Sequence, residues 1–216
     1  MIRLAVFDCD GTLVDSARTI CAAMLMAFEG EGMVWPGKAA TRRIVGLSLP
    51  QVFARLAPQA DAGLRGRLAE RFKAAFHTLR ANGLAHEPLY PGIADVLAEL
   101  EARGWLLGVA TGKSDRGLNL CLAAHGLHPR FVTLQTADRH PSKPHPAMLH
   151  QAAREAGADH VAMIGDTVFD IEMAVAAGSD PVGVAWGYHP ADELSAAGAR
   201  AVACHANDLI ALLEAA

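Results

Sequence analysis

The sequence predicts an α/β protein, a doubly wound parallel sheet interrupted directly after its first strand by an all-helical insert. Three observations carry this. The apolar run Leu4-Ala5-Val6-Phe7 stops abruptly at Asp8-Cys9-Asp10-Gly11. Residues 15–82 show helical spacing and no strand signal. From Ile93 onward, helix stripes and short apolar runs alternate, as repeated βα units do when they build a parallel sheet covered on both faces.

Taken in order, Leu4 to Phe7 have the pattern of a strand buried on both faces. Ile20, Met24, Ala27 and Phe28 then share one helix face, which ends at Gly30-Glu31-Gly32. Residues 41–56 read as two helical pieces parted at Gly46-Leu47-Ser48-Leu49-Pro50, and Leu64, Leu68, Phe72, Phe76 and Leu79 line one side of a long helix. Asn82-Gly83 and Tyr90-Pro91-Gly92 bracket the loop that returns the chain to the sheet. Ile93, Val96, Leu97 and Leu100 make a helix stripe that closes at Gly104. The expected strands after it are 105–110, 131–134, 160–164, 182–186 and 201–204, and the expected helices are 114–125, 144–156, 171–177, 191–197 and 208–215. The sheet domain is expected over 1–14 and 86–216, with the helical unit over 15–85. The two connections of that unit lie beside the active end of the first strand, where they can serve as hinges for a cover that opens and closes.

A chain of 216 residues, 52% hydrophobic and 19% charged, can bury a full core and is not disordered in composition. Its longest apolar runs are too short to span a bilayer, and no leader pattern precedes the first strand, so a cytoplasmic location without membrane attachment is expected. Four scattered cysteines, Cys9, Cys21, Cys121 and Cys204, suit reduced thiols in a cytosol. The net charge of −4 argues against nucleic acid as a partner. Residues 15–85 hold ten Lys and Arg against five Asp and Glu, while the remainder holds nine against eighteen. A basic insert in an acidic body reads either as charge complementarity between two packed units or as attraction of an anionic substrate.

The chemistry gathers at strand ends. Asp8 and Asp10 point the same way in extended chain, so two carboxylates face one small volume, and a shared proton or a cation must offset their repulsion. The strand ending Val109-Ala110-Thr111-Gly112-Lys113-Ser114 presents a hydroxyl and free N–H groups at a helix start, a cradle for phosphate. Three residues separate Gly108 from Gly112, one too few for a P-loop. Lys143, in Pro141-Ser142-Lys143-Pro144-His145-Pro146, is either a solvated loop lysine or an ammonium held rigidly toward the acids. Gly165-Asp166-Thr167-Val168-Phe169-Asp170 ends another strand; Asp170 reads as a helix cap or as a site acid. In a parallel sheet all these ends share one edge. Oxygen ligands with no His or Cys grouping point to Mg²⁺, set to bridge the carboxylates and a phosphate.

The run from Asp8 to Ser16, the Thr111 strand end, Lys143 and Gly165-Asp166-Thr167-x-x-Asp170 resemble the four motifs of the haloacid dehalogenase superfamily. Their order and the helical insert resemble its phosphatase branch with a C1-type cap on a Rossmann-like core. Gly187-Tyr188-His189-Pro190 resembles its phosphoglycolate phosphatase-like group. The resemblance implies Asp8 as the nucleophile of an aspartyl-phosphate route and Asp10 as the acid and then the base. It also implies Mg²⁺ held by the Asp8 and Asp166 carboxylates and the Asp10 main-chain carbonyl, with Asp170 in support through water. Thr111, Gly112 and Lys143 are implied as phosphate contacts. Cys9 stands where the family usually has a bulky apolar residue and reads as a small buried filler.

The expected activity is therefore hydrolysis of a small phosphorylated metabolite by a monomer or homodimer. The alternative is a sugar-phosphate mutase like β-phosphoglucomutase. Such mutases resemble the chain through Val45-Gly46-Leu47-Ser48 but usually carry a basic residue next, where Leu49 stands here. A dehalogenase fits less well because Asp10 is present, and an idle phosphate-binding protein fits less well because every expected acid is intact. The basic insert favours a leaving group with its own negative charge, such as phosphoglycolate, met by Arg42 or Arg43 and by Gly46, Leu47 and Ser48.

Overall fold

The computed structural model describes residues 1–215. Six strands, β1 (Arg3–Phe7), β2 (Trp105–Thr111), β3 (Phe131–Thr136), β4 (His160–Gly165), β5 (Asp180–Val184) and β6 (Ala201–Ala203), form one sheet in the order β3-β2-β1-β4-β5-β6. Every pairing is parallel, with Phe7 level with Val109 on one side and Ile164 on the other. The chain therefore winds outward from β1 to β3 and returns to lay β4 on the opposite flank of β1. That reversal opens a crevice at the carboxyl ends of β1 and β4, where such sheets bind ligands.

Side-chain alternation splits β1 between two cores. Ala5 and Phe7 pack with α5 (Ile93–Ala102), α6 (Asp115–Ala124) and α10 (Asp208–Glu214), while Leu4 and Val6 face α7 (Ala147–Ala156) and α8 (Val168–Ala177). Leu4 through Phe7 have no exposed surface, which is why the strand reads as a continuous apolar run and not as an alternating one. The remaining core helix, α9 (Ala191–Ala196), packs on β5 and β6.

Between β1 and α5 lie α1 (Ala17–Gly30), α2 (Lys38–Arg42), α3 (Leu49–Leu56) and α4 (Ala62–Ala81). Met24, Phe28, Phe53 and Leu68 give this unit its own apolar cluster, with the Phe28 and Phe53 rings 6.1 Å apart. Phe169 at the start of α8 joins that cluster, so the cap rests on the helix that follows the β4 strand end.

The structure moves several expected boundaries. Leu49 and Pro50 lie inside α3 and not in the break before it, because a proline in the first helical turn has no intrahelical N–H bond to lose. Helix α7 starts at Ala147, three residues after the expected Pro144, since Pro144 and Pro146 bias their preceding residues away from helical backbone. Strand β3 runs two residues beyond Leu134, β5 starts at Asp180 and stops before Trp186, and α8 begins at Val168 with Asp170 in its first turn.

Candidate active site

Asp8 follows β1 and is fully buried. Its Oδ1 takes the Lys143 ammonium at 2.9 Å and the Cys9 N–H at 2.7 Å, while its Oδ2 has no hydrogen-bond partner among the described residues. Lys143, also without exposed surface, reaches Asp170 Oδ1 at 2.6 Å. Asp170 Oδ2 accepts from the Thr167 N–H at 3.0 Å and the Thr167 hydroxyl at 2.7 Å, so the cap it shares with Thr167 fixes a site acid in place. Asp166 accepts the Thr12 hydroxyl at 2.8 Å on Oδ1 and the Tyr188 N–H at 2.9 Å on Oδ2.

The chain runs very close to Asp166. A Cβ at Gly11 would lie 2.2 Å from its Oδ2, and one at Gly187 would lie 2.2 Å from its Cβ. Both positions are thus closed to any larger residue. Gly11 is further restricted by a φ of 92°, which side-chain-bearing residues avoid.

Carboxylate oxygens of Asp8, Asp166 and Asp170 lie within 4.8 Å of one another. Three carboxylates against one ammonium leave a formal excess of two negative charges in a buried volume. Burial, followed by the charge of Asp170, raises the Asp8 carboxyl to about 7 even though Lys143 opposes the shift. Burial and then the charges of Asp170 and Asp8 push Asp166 up as well. Burial works against the Lys143 charge, but Asp170 and Asp8 outweigh it and raise that lysine. The orphaned Asp8 Oδ2 and an all-oxygen donor set with excess charge fit a hard divalent cation.

Asp10 is placed differently. Its Oδ1 accepts from the Ser16 hydroxyl and pairs with Lys113 at 2.9 Å, and its side chain is not part of the three-carboxylate group. Lys113 Nζ also binds Glu87 at 3.1 Å, and Glu87 pairs with Arg80 from α4. Burial opposes ionisation of Glu87, but Lys113 and Arg80 hold its carboxyl below the ordinary range. Thr111 is buried at the end of β2, where its hydroxyl accepts the Lys113 N–H at 3.2 Å. At Gly112 a Cβ would lie 2.5 Å from the Gly46 carbonyl oxygen and 2.7 Å from that of Leu47. The cap loop therefore sits directly on the β2 strand end.

A cavity of about 250 Å³ opens from Asp10 into the cap, walled by Met24, Leu47, Leu49, Val52, Phe72 and Phe76, with Gly46, Gly112 and Lys113 also at its surface. Arg42 and Arg43, expected to meet the leaving group there, are engaged elsewhere. Arg42 donates to the Gly187 carbonyl at 3.3 Å and lies over the Tyr188 ring, and Arg43 pairs with Glu193 at 2.7 Å. His189 Nδ1 accepts the Val168 N–H at 3.1 Å, which leaves its Nε2 to donate to the Arg43 carbonyl at 3.2 Å. These contacts tie the helical unit to the sheet domain, and neither arginine lines the cavity. Ser48 likewise turns to the core, its N–H donating to Ser142 Oγ at 2.8 Å.

The residues that sequence reasoning missed are Lys113, Ser16, Glu87, Arg80 and Phe76. Lys113 and Ser16 stand within motifs already singled out by sequence, and a position two after Thr111 is a signal for Lys113. Glu87 and Arg80 carry no motif. Cys9 is a fully buried filler, as expected, with its sulfur 3.8 Å from that of Cys121.

A family model described as hydrolase, haloacid dehalogenase-like hydrolase, matches residues 2–178. A protein named "Probable phosphatase IndB" from Dickeya dadantii is 37% identical over 205 residues, covering 91% of this chain and 87% of its own length. A phosphoglycolate phosphatase from Vibrio parahaemolyticus is 28% identical, with coverage of 97% and 95%. Among solved structures, a hydrolase from Pseudomonas syringae superposes with a TM-score of 0.86 at 25% identity, covering 99% of this chain and 98% of that one.

Proposed function

Since the chain belongs to the haloacid dehalogenase-like hydrolases, we propose that it is a Mg²⁺-dependent phosphatase of small phosphate monoesters, working through an aspartyl-phosphate on Asp8. The observation that carries this reading is the charge imbalance around Asp8, set beside a second carboxylate, Asp10, that borders a cavity running into the helical unit. In this reading residues 15–85 are the cap and the rest is the catalytic core. Asp8, Asp166 and the Asp10 main-chain carbonyl would hold the metal, with Asp170 in support. When bound, Mg²⁺ neutralises charge on the phosphoryl oxygens and keeps Asp8 ionised.

Asp8 attacks phosphorus, forming the Asp–O–P bond as the ester P–O bond breaks, and Asp10 delivers a proton to the departing oxygen. Asp10 then takes a proton from the water that attacks the same phosphorus, releasing inorganic phosphate and restoring both acids. Lys143 holds one oxygen of Asp8 in place and faces the transferred group, and Thr111 with the Gly112 N–H receives phosphoryl oxygens. The phosphoglycolate phosphatase from Vibrio parahaemolyticus supports the reaction class. Leu49, a wall of the cavity, offers nothing to grip the second phosphate that a mutase must hold. No helix among the described residues is long and apolar enough to cross a membrane, and the reading places the enzyme in the cytoplasm. Phosphate release from p-nitrophenyl phosphate with Mg²⁺, abolished by EDTA and restored by added Mg²⁺, is the expected result. Release that persists in EDTA overturns the metal assignment.

A further inference from the structure

We infer that the alcohol released by this enzyme is uncharged and carries an apolar ring, so that the preferred substrate is the phosphate monoester of such an alcohol and not of a short hydroxy acid. The inference rests on the phosphatase reading and names its substrate class. Asp10 both donates to the leaving oxygen and lines the cavity, so whatever leaves phosphorus occupies that space.

Once Asp10 has given its proton to the leaving oxygen, the charge there is balanced. Asp10 and Glu87 are two anions, Lys113 and Arg80 are two cations, and the three pairs Lys113–Asp10, Lys113–Glu87 and Arg80–Glu87 join them. Both cations lie over the Phe76 ring, with Lys113 Nζ 5.3 Å and the Arg80 guanidinium carbon 5.2 Å from its centre. Beyond this quartet the wall is mostly apolar, with Met24, Leu49, Val52 and Phe72 in it; Lys73, His77 and Arg116 also border the cavity but are exposed, and Lys73 pairs with Glu70 at 2.8 Å.

In phosphoglycolate the carboxylate hangs from the carbon attached to the leaving oxygen, so it would lie beside Asp10. A second carboxylate there meets like charge and apolar surface, an arrangement that disfavours ionised groups strongly. An apolar ring instead gains the aromatic and aliphatic wall and leaves the quartet intact. The cavity is at the small end of ligand sites, which suits one ring and not an extended chain. Arg116 also borders the cavity and has no carboxylate partner among the described residues, but it is exposed. It is the residue a rival, acid-specific reading would need.

The test is steady-state kcat/KM for benzyl phosphate and 2-phosphoglycolate with saturating Mg²⁺, in the natural protein and in Phe76→Ala, Leu49→Ala and Arg116→Ala. Benzyl phosphate is expected to be preferred by about tenfold or more, the scale set by a few apolar contacts. Phe76→Ala should narrow that ratio by raising KM for the benzyl ester, and Leu49→Ala serves the same purpose if the first variant fails to fold. Arg116→Ala should leave the ratio unchanged. Preference for 2-phosphoglycolate, above all one lost in Arg116→Ala, overturns the inference while the phosphatase reading stands. No phosphate from either ester or from p-nitrophenyl phosphate overturns that reading and the inference with it.

Discussion

The site contains the same ion pair twice, in two different settings. Lys143 meets Asp8 at 2.9 Å and Lys113 meets Asp10 at 2.9 Å. Around Lys143 every partner belongs to the core, nothing is exposed, and three carboxylates outnumber the one ammonium. Around Lys113 the partners come from the core, the returning loop and the cap, and the charges cancel. The first setting retains an imbalance that a divalent ion corrects. The second has nothing to correct and borders an apolar space. In the proposed function, the first setting is the half of the site that handles phosphate and the second is the half that handles what phosphate is attached to.

The strongest way to break this comparison is Asp8→Asn. Loss of the nucleophile should reduce phosphate release by about 10⁴-fold or more while circular dichroism stays native. An active variant removes the phosphate half from the scheme. Asp10→Asn should cost about 10²- to 10⁴-fold with an alkyl ester. The loss should be smaller with p-nitrophenyl phosphate, whose phenolate departs without a proton; equal losses would mean that Asp10 does not serve the leaving group.

Stability sharpens the contrast. Lys143→Met strands three buried acids and should lower unfolding free energy by about 3–5 kcal/mol in urea titrations without metal. Lys113→Met leaves Arg80 beside Glu87 and should cost roughly 1–3 kcal/mol. Equal costs would erase the distinction between the settings.

A pH series probes the imbalance directly. The Asp8 carboxyl is raised from 3.8 to about 7, so between those values the folded chain holds a proton that the unfolded chain has lost. Its contribution is complete below about 4 and fades as pH rises to about 7, so metal-free protein should lose stability across that window. Added Mg²⁺ should lift the melting temperature most at the upper end, and a flat profile in both conditions contradicts a metal at Asp8. The smallest effect is expected from Arg43→Ala, whose exposed pair with Glu193 is worth at most about 1 kcal/mol. KM should remain within about twofold; a larger rise restores Arg43 as a substrate contact.

The sheet and the acids of the phosphate half were readable in the sequence because a polar residue at the end of a buried strand has few structural reasons to be there. Asp8 and Asp166 stand in that position, whereas Lys143 lies in the proline-framed loop between β3 and α7, where a solvated lysine is an equal reading. The leaving-group half was legible only in part. Lys113 was weighed as one letter of a phosphate loop whose spacing failed, and its partner Glu87 lies in a connecting segment with no pattern. The excess of basic residues over 15–85 does not say which way their side chains turn. Arg42 and Arg43 face segment 187–193, partners so remote in the chain that no local pattern marks them. Pro50 misled for a related reason: a proline both interrupts helices and begins them.

The contact at Gly112 has one further consequence. Because the carbonyls of Gly46 and Leu47 occupy the space a side chain would need, a single methyl there would act as a wedge that keeps the lid ajar. In Gly112→Ala, water could enter the chamber and compete with the proper ester, and alcohol would escape sooner. One missing carbon thus lets the Gly46–Leu47 loop settle on the strand end where, in the proposed function, phosphate is received.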